Sequence, residues 1–134
     1  MSARFLLDTN VVSDLVRHPR GRAALKLADV GQDVVATSII VAAELRYGAA
    51  KKGSTRLSSQ LESVLGVLTI IAFEPPADAT YAAARVGLEA AGTPIGANDL
   101  LIAAQALALD MTLVTDNTRE FTRVRGLTVA HWLR

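Results

Sequence analysis

Residues 4–12 read RFLLDTNVV, a short apolar run that ends abruptly at a single aspartate, Asp8. An apolar run of this length, bounded by polar residues, is typical of a strand buried inside a sheet. Asp8 then falls where the strand leaves the core, and an unpaired charge in such a place is costly. The sequence therefore predicts that another group compensates the charge of Asp8.

The composition limits the classes of protein to consider. The chain has 134 residues, 51% of them hydrophobic and 20% charged, so it can bury a core and disorder is excluded. It has no cysteine and two histidines, which excludes disulfides, thiolate zinc sites, cysteine nucleophiles and histidine-rich metal sites. We find no signal-peptide pattern and no apolar run near the roughly 18 residues of a membrane span. We therefore expect a cytoplasmic protein that does not associate with membranes.

Apolar runs that suit strands alternate along the chain with segments that suit helices. Strands are predicted at 5–7, 34–38, 68–73 and 112–115. Helices are predicted at 11–17, 21–29, 39–52, 55–68, 77–91 and 98–109. This alternation predicts an α/β fold, with a mainly parallel central sheet flanked by helices, formed by residues 1–134 as one domain.

Acidic residues stand directly after two of the predicted strands and on two of the predicted helices. Asp8 directly follows FLL, and Asp116 follows TLVT. Ligands of open α/β sheets bind at the carboxyl ends of the strands, so we expect both side chains to face one crevice. On the predicted helices, Glu44 shares its face with apolar residues in SIIVAAELRYG, and Asp99 lies in the first turn after GTPIGA.

Three of these acids also have purely structural interpretations. Asp8 could cap the helix that begins near Asn10. Asp99 could complement the dipole of its helix, behind Asn98 as the N-cap. Asp116 could belong to an ordinary Asx turn in TDNT. For Asp8 and Asp99, each considered alone, the structural and the functional interpretations are equally plausible. For Asp116 alone, the structural interpretation is the better one.

Glu44 is harder to explain structurally, because its neighbours on the helix face are apolar. A salt bridge to Arg46 or to the distant Arg85 is the alternative. Four acids around one crevice would repel one another unless cations lay between them, and Mg²⁺ and Mn²⁺ prefer carboxylate oxygens. Such ions promote the attack of water on a phosphodiester. We therefore predict that a metal ion compensates Asp8.

The segments that carry these acids resemble those of a known family. LLDTN, AELRYG, GANDLLIAAQA and LVTDNTREF follow one another here in the order found in PIN-domain ribonucleases, and are most similar to the VapC-type toxins of bacterial toxin–antitoxin pairs. The resemblance covers nearly the whole chain, down to GLTVAHW. It implies a PIN fold, endonucleolytic cleavage of RNA with Mg²⁺ or Mn²⁺, and inhibition by a cognate VapB-like antitoxin. We also expect a homodimer.

The resemblance implies the site residues as well. Asp8 and Asp99 match the principal metal ligands of the family, and Glu44 matches the acid that completes the site. Thr9 and Asn10 match polar neighbours of the first acid.

The fourth position departs from the commonest family pattern, in which an acid stands two residues after a threonine. Here Thr115 is followed by Asp116 and then by Asn117. We predict that the strand ends at Thr115, which hydrogen-bonds the cluster from below. Asp116 then turns toward the metal as the fourth ligand and Asn117 caps the next segment. Glu120 is expected to lie too far round the turn to substitute.

Two other functions are compatible with parts of the sequence. The displaced Asp116 permits a catalytically weak PIN-like module that binds RNA or protein. A phosphoaspartyl phosphatase would use Asp8 as its nucleophile, but it needs a second acid where this chain has Asn10. A phosphate-binding loop at GAAKKGST (48–55) is excluded, since no lysine follows the second glycine and a helix precedes the segment.

The net charge of +1 conceals an asymmetry. If four acids face metal ions, nine remain against fourteen Lys and Arg, which leaves an outer surface of net +5. A basic surface of this size suits contacts with RNA phosphates. Basic residues cluster at Arg17, Arg20 and Arg22, and again at Arg46, Lys51, Lys52 and Arg56. The amphipathic stretch at 48–68 is expected, from the resemblance, to help form the antitoxin groove.

Overall fold

Five short parallel strands form the sheet at the centre of the computed structural model, which describes residues 3–134. Their spatial order is β3-β2-β1-β4-β5, and every neighbouring pair is parallel. The strands are β1 (Phe5–Leu7), β2 (Val35–Ser38), β3 (Thr69–Ile71), β4 (Thr112–Val114) and β5 (Val129–Ala130). The predicted α/β class with a parallel sheet is confirmed.

Helices flank this sheet. They are α1 (Thr9–Arg17), α2 (Arg22–Val30), α3 (Ile39–Lys52), α4 (Thr55–Val67), α5 (Ala77–Ala90), α6 (Ala97–Ala108) and α7 (Thr118–Phe121). The six predicted helices are all present, with ends within two residues of those expected. Within residues 3–134, no helix combines the length and the apolar character that a bilayer span needs.

Local signals in the sequence explain where several helices begin and end. The Ser38 side chain accepts a hydrogen bond from the Ile40 N–H and so caps α3, as its position predicts. At the other end of α3, Gly53 has a φ of 66°, a left-handed conformation that glycine adopts without strain. The suggested N-cap Asn98 is wrong, because α6 begins at Ala97 and Gly96 occupies the cap position.

The opening strand is apolar because it lies in the middle of the sheet. β1 pairs with β2 on one side and with β4 on the other, and Leu6 and Leu7 are fully buried. A strand covered on both faces has no solvent side to carry polar residues. The carboxyl ends of β1 and β4 therefore meet at the same edge of the sheet, with the residues that follow them side by side.

Gln105 is a fully buried polar residue on α6, a helix whose face is otherwise apolar. Its amide oxygen accepts a hydrogen bond from the Ser38 hydroxyl, and its amide nitrogen donates to the carbonyls of Ile71 and Ala72 at 3.2 Å each. These contacts join α6 to the ends of β2 and β3. Because a buried polar group needs such partners, Gln105 fixes the position of α6 against the sheet.

Candidate active site

Asp8 and Thr115 lie next to each other where β1 and β4 end. The Asp8 N–H donates to the carbonyl of Val114, the last residue of β4, at 2.8 Å, which continues the ladder one residue beyond β1. The Thr115 hydroxyl donates to Oδ2 of Asp8 at 2.7 Å, the contact expected from the sequence. Residues at adjoining carboxyl ends of parallel strands are held rigidly, so the sheet itself sets the position of this pair.

The Asp8 carboxylate is buried, with 3% of the residue exposed, and its Oδ1 has no hydrogen-bond partner among residues 3–134. Asp8 occupies the N-cap position of α1, yet its side chain makes no capping hydrogen bond, so the capping interpretation is wrong. Burial raises the pKa of Asp8; the Thr115 hydrogen bond opposes that rise, and the nearby carboxylates of Glu44 and Glu120 add to it. A buried oxygen of this kind needs a donor or a cation as its partner.

Glu44 approaches Asp8 from α3. The residue is half-buried, and its Oε1 accepts a hydrogen bond of 3.0 Å from the Thr9 hydroxyl, next to Asp8. The alternative salt bridges are absent among residues 3–134: Arg46 pairs with Glu62 at 2.9 Å. Arg85 pairs with Glu89 within α5. Glu44 is thus an acid without a cationic partner in the described part of the chain.

Asp99 reaches the same crevice from the first turn of α6, where it hydrogen-bonds to Glu120. Burial, this hydrogen bond and the charges of Asp8, Glu120 and Glu44 raise the pKa of Asp99 to about 7. Two carboxyl groups can share a hydrogen bond only if one of them carries a proton. Without a cation, Asp99 is the member of the pair that takes up this proton more readily.

Glu120 is the acid whose place was predicted wrongly, since it contacts Asp99 rather than lying beyond reach. Its Oε2 accepts from the Asn117 amide at 2.8 Å, and its Oε1 accepts from the Gly96 N–H at 3.4 Å. Burial acts to raise the pKa of Glu120, but the hydrogen bonds from Asn117, Asp99 and Gly96 hold it below its ordinary value. Glu120 is therefore the more readily ionised carboxyl group of the pair.

The sequence does contain a signal for Glu120. Asn117 and Glu120 are the first and last residues of an N-x-x-E pattern, which typically opens a helix by folding the glutamate back over the cap. α7 begins directly after Asn117 and brings Glu120 back in this way, although the contact joins the two side chains. A helix of four residues has too little periodicity to be recognised from apolar spacing.

Asp116 directly follows Thr115, and its carboxylate pairs with Arg134. Its Oδ1 is 3.6 Å from Nε of Arg134, and its side chain is 47% exposed. Its backbone N–H donates to Oδ1 of Asn10 at 3.0 Å. The structure thus brings Asp8, Glu44 and Asp99 together with Glu120, while Asp116 pairs with an arginine.

The four carboxylates fit a hard divalent cation. As they stand, however, no three acids or histidines within residues 3–134 form a group that could hold a metal ion, so these side chains would have to draw closer together to coordinate one. The unpaired Oδ1 of Asp8 and the raised pKa of Asp99 both fit a place where positive charge would be stabilising. Carboxylate oxygens without histidine or cysteine are the donor set that magnesium-like ions prefer.

Known proteins resemble the chain over almost its full length. The PIN domain family model matches residues 5–127. Ribonuclease VapC2 of Rickettsia felis is 38% identical over 130 residues, which cover 96% of this chain and 97% of that protein. The tRNA(fMet)-specific endonuclease VapC of Shigella flexneri is 28% identical over 130 residues, which cover 96% of this chain and 98% of that protein. A chain in the crystal structure of VapBC2 from R. felis, bound to a promoter DNA fragment, superposes with a TM-score of 0.90 and is 35% identical. The match covers 98% of this chain and 99% of that one.

These similarities include the crevice. The matched residues 5–127 begin with β1 and extend past α7, so they contain Asp8, Glu44, Asp99 and Glu120. The resemblance that the sequence motifs indicated is confirmed by the family match and by the relatives. The chain therefore belongs to the PIN-domain family, among its VapC ribonucleases.

Proposed function

We infer that this protein is the endoribonuclease toxin of a toxin–antitoxin pair and hydrolyses phosphodiester bonds in RNA. The observation that carries this function is the proximity of four carboxylates, one of which is the buried Asp8 with its unpaired Oδ1, at the carboxyl edge of a PIN-domain sheet. Relatives named as a ribonuclease and as a tRNA endonuclease support it. A phosphoaspartyl phosphatase is disfavoured, because Asn10 is held by Asp116 and Thr115 and offers no acid to a leaving group.

The cation we propose for this crevice is Mg²⁺ or Mn²⁺. Asp8 and Asp99 would hold it as the principal ligands, with Glu120 and Glu44 completing the negative shell. When bound, such an ion lowers the pKa of a coordinated water and offsets the charge that develops on the phosphate. For the fourth position we favour Glu120 over Asp116, because Glu120 contacts Asp99 whereas the Asp116 carboxylate pairs with Arg134.

The polar neighbours of these acids orient them. Thr115 engages Oδ2 of Asp8 and so leaves Oδ1 as the oxygen available to a cation. Thr9 holds Oε1 of Glu44, which keeps that side chain turned toward Asp8. Side chains fixed by such hydrogen bonds need little rearrangement when they act, which is the condition for efficient electrostatic stabilisation.

We propose that the antitoxin docks in a groove between α1, α3 and α4. The groove is about 200 Å³ in volume and is lined by apolar side chains, among them Val16, Leu45, Leu57 and Leu61. Glu44 also lines it, so a chain bound there reaches the candidate active site. Solved structures of relatives contain such toxin–antitoxin pairs, including that of Salmonella typhimurium. The homodimer and the cytoplasmic location expected from the sequence stay predictions.

The test is cleavage of bulk tRNA by the purified chain in Mg²⁺ or Mn²⁺, with EDTA as control. We expect metal-dependent fragments from the parent and none from Asp8→Asn. Asp110→Asn is the matched control, because Asp110 is exposed and has a φ of 54°, which asparagine also tolerates. Cleavage by Asp8→Asn at the parental rate, or cleavage by the parent that survives EDTA, would overturn the assignment.

A further inference from the structure

A shallow basic depression lies beside the candidate active site. Its lining includes Arg22, Lys26, His131 and Arg134, with Asp29 as the one acid among the described residues that line it. Arg22 and Lys26 are exposed and stand four positions apart on α2, so they share one helix face. Neither forms an ion pair with any acid of residues 3–134. Two cations on one face are thus available to an anionic ligand.

Arg134 connects this depression to the crevice. Its guanidinium lies 3.6 Å from the Asp116 carboxylate and donates to the Asp116 carbonyl at 3.4 Å and the Thr118 hydroxyl at 3.3 Å. The Asp116 N–H in turn donates to Asn10, two residues after Asp8. The depression therefore begins at the loop that borders the carboxylates.

We propose that the depression formed by Arg22, Lys26 and Arg134 binds backbone phosphates of the RNA strand that is cut in the crevice, to one side of the scissile bond. The proposal rests on the proposed function. A crevice of four carboxylates repels a polyanion outside the immediate reach of its cation, so neighbouring basic residues must supply the attraction. Arg22 and Lys26 contact no carboxylate of the crevice, and they contribute to affinity rather than to the chemical step.

The first measurement is binding of fluorescently labelled bulk tRNA to the full chain with Asp8→Asn, which keeps the RNA intact. Adding Arg22→Gln and Lys26→Gln should weaken binding on the order of tenfold and lower the slope of log Kd against log salt by about 1–2. The matched control, Arg85→Gln with Arg125→Gln, removes the same charge from exposed positions that do not line the depression. Binding by the control should stay within twofold.

The second measurement is cleavage of the same tRNA by chains that keep Asp8. Arg22→Gln with Lys26→Gln should raise KM on the order of tenfold and leave kcat within twofold of the control. If the pair of substitutions changes neither binding nor KM relative to the control, the phosphate surface is wrong although the ribonuclease stands. The phosphate surface is equally wrong if kcat alone falls. If the parent neither binds nor cleaves RNA, the proposed function itself fails.

Discussion

The Thr115 hydroxyl donates its single proton to Oδ2 of Asp8, 107 positions away in the sequence, at 2.7 Å. The same hydroxyl oxygen accepts hydrogen bonds from the Asn117 N–H at 3.0 Å and from the Asn10 amide at 3.5 Å. With both acceptor positions filled, the hydroxyl has no other orientation to adopt. Thr115 therefore determines which oxygen of Asp8 is left for a cation.

Replacing this hydroxyl tests its role. We expect Thr115→Val, which keeps the shape of the side chain, to raise the Mg²⁺ concentration for half-maximal cleavage by about 10-fold or more, because the orientation of Asp8 is lost. Thr115→Ser keeps the donor and should restore most of the parental requirement. Metal titration of initial cleavage rates measures both. A folded Thr115→Val protein with the parental metal requirement would show that Thr115 only fills space.

The fourth acid is tested by comparing Glu120→Gln with Asp116→Asn. Glu120→Gln removes a charge that contacts Asp99, so it should raise the Mg²⁺ concentration for half-maximal cleavage by about 10-fold or more. Asp116→Asn breaks an exposed pair with Arg134, and such pairs contribute little, so the requirement should change less than about threefold. The opposite ranking would support Asp116, the ligand that the sequence favours.

The pH dependence of stability follows from Asp99. Its pKa is about 7 in the folded chain and 3.8 as an isolated group, so the folded state binds this proton more tightly than the unfolded state. The stabilisation is complete below about pH 4 and is lost as the pH rises through about 7. In EDTA, the melting temperature of the parent should fall over this interval more than that of Asp99→Asn. Circular dichroism melts at several pH values measure the difference, and equal slopes would contradict the prediction.

The buried amide of Gln105 should contribute to the stability of the fold through its hydrogen bonds. Gln105→Leu leaves the Ile71 and Ala72 carbonyls and the Ser38 hydroxyl without this partner, at a cost of about 2–4 kcal/mol of unfolding free energy. Gln60→Leu, at an exposed position on α4, is the matched control and should cost far less. Urea unfolding monitored by tryptophan fluorescence gives both values. A cost below about 0.5 kcal/mol for Gln105→Leu would show that the network contributes little.

The elements that the sequence revealed are those with strong local signals. β1 and β4 are apolar runs bounded by polar residues, and α3 begins at a serine cap and ends before a glycine. β5 was missed, because a two-residue edge strand carries almost no pattern of its own and is defined by its pairing with β4. The predicted strand at 34–38 begins one residue later, since residue 34 closes a short 3-10 turn.

The candidate site was predictable where an acid directly follows a buried strand or stands on an apolar helix face, as with Asp8 and Glu44. The fourth acid was not, because its position depends on how the chain turns after Thr115. The carboxylate of Asp116 is drawn to Arg134, a tertiary partner 18 positions away, while α7 folds Glu120 toward Asp99. Adjacent residues that leave a strand can diverge in this way, and strand alternation alone cannot decide between them.

Because β1 lies in the middle of the sheet, its position determines when the candidate active site can assemble during translation. β1 emerges from the ribosome early, but its partner β4 begins at Thr112, and Glu120 follows later still. A growing chain therefore carries Asp8 without the groups that orient it and complete its acidic shell. We expect the growing chain to be unable to cleave RNA until the residues of β4 and α7 have been made.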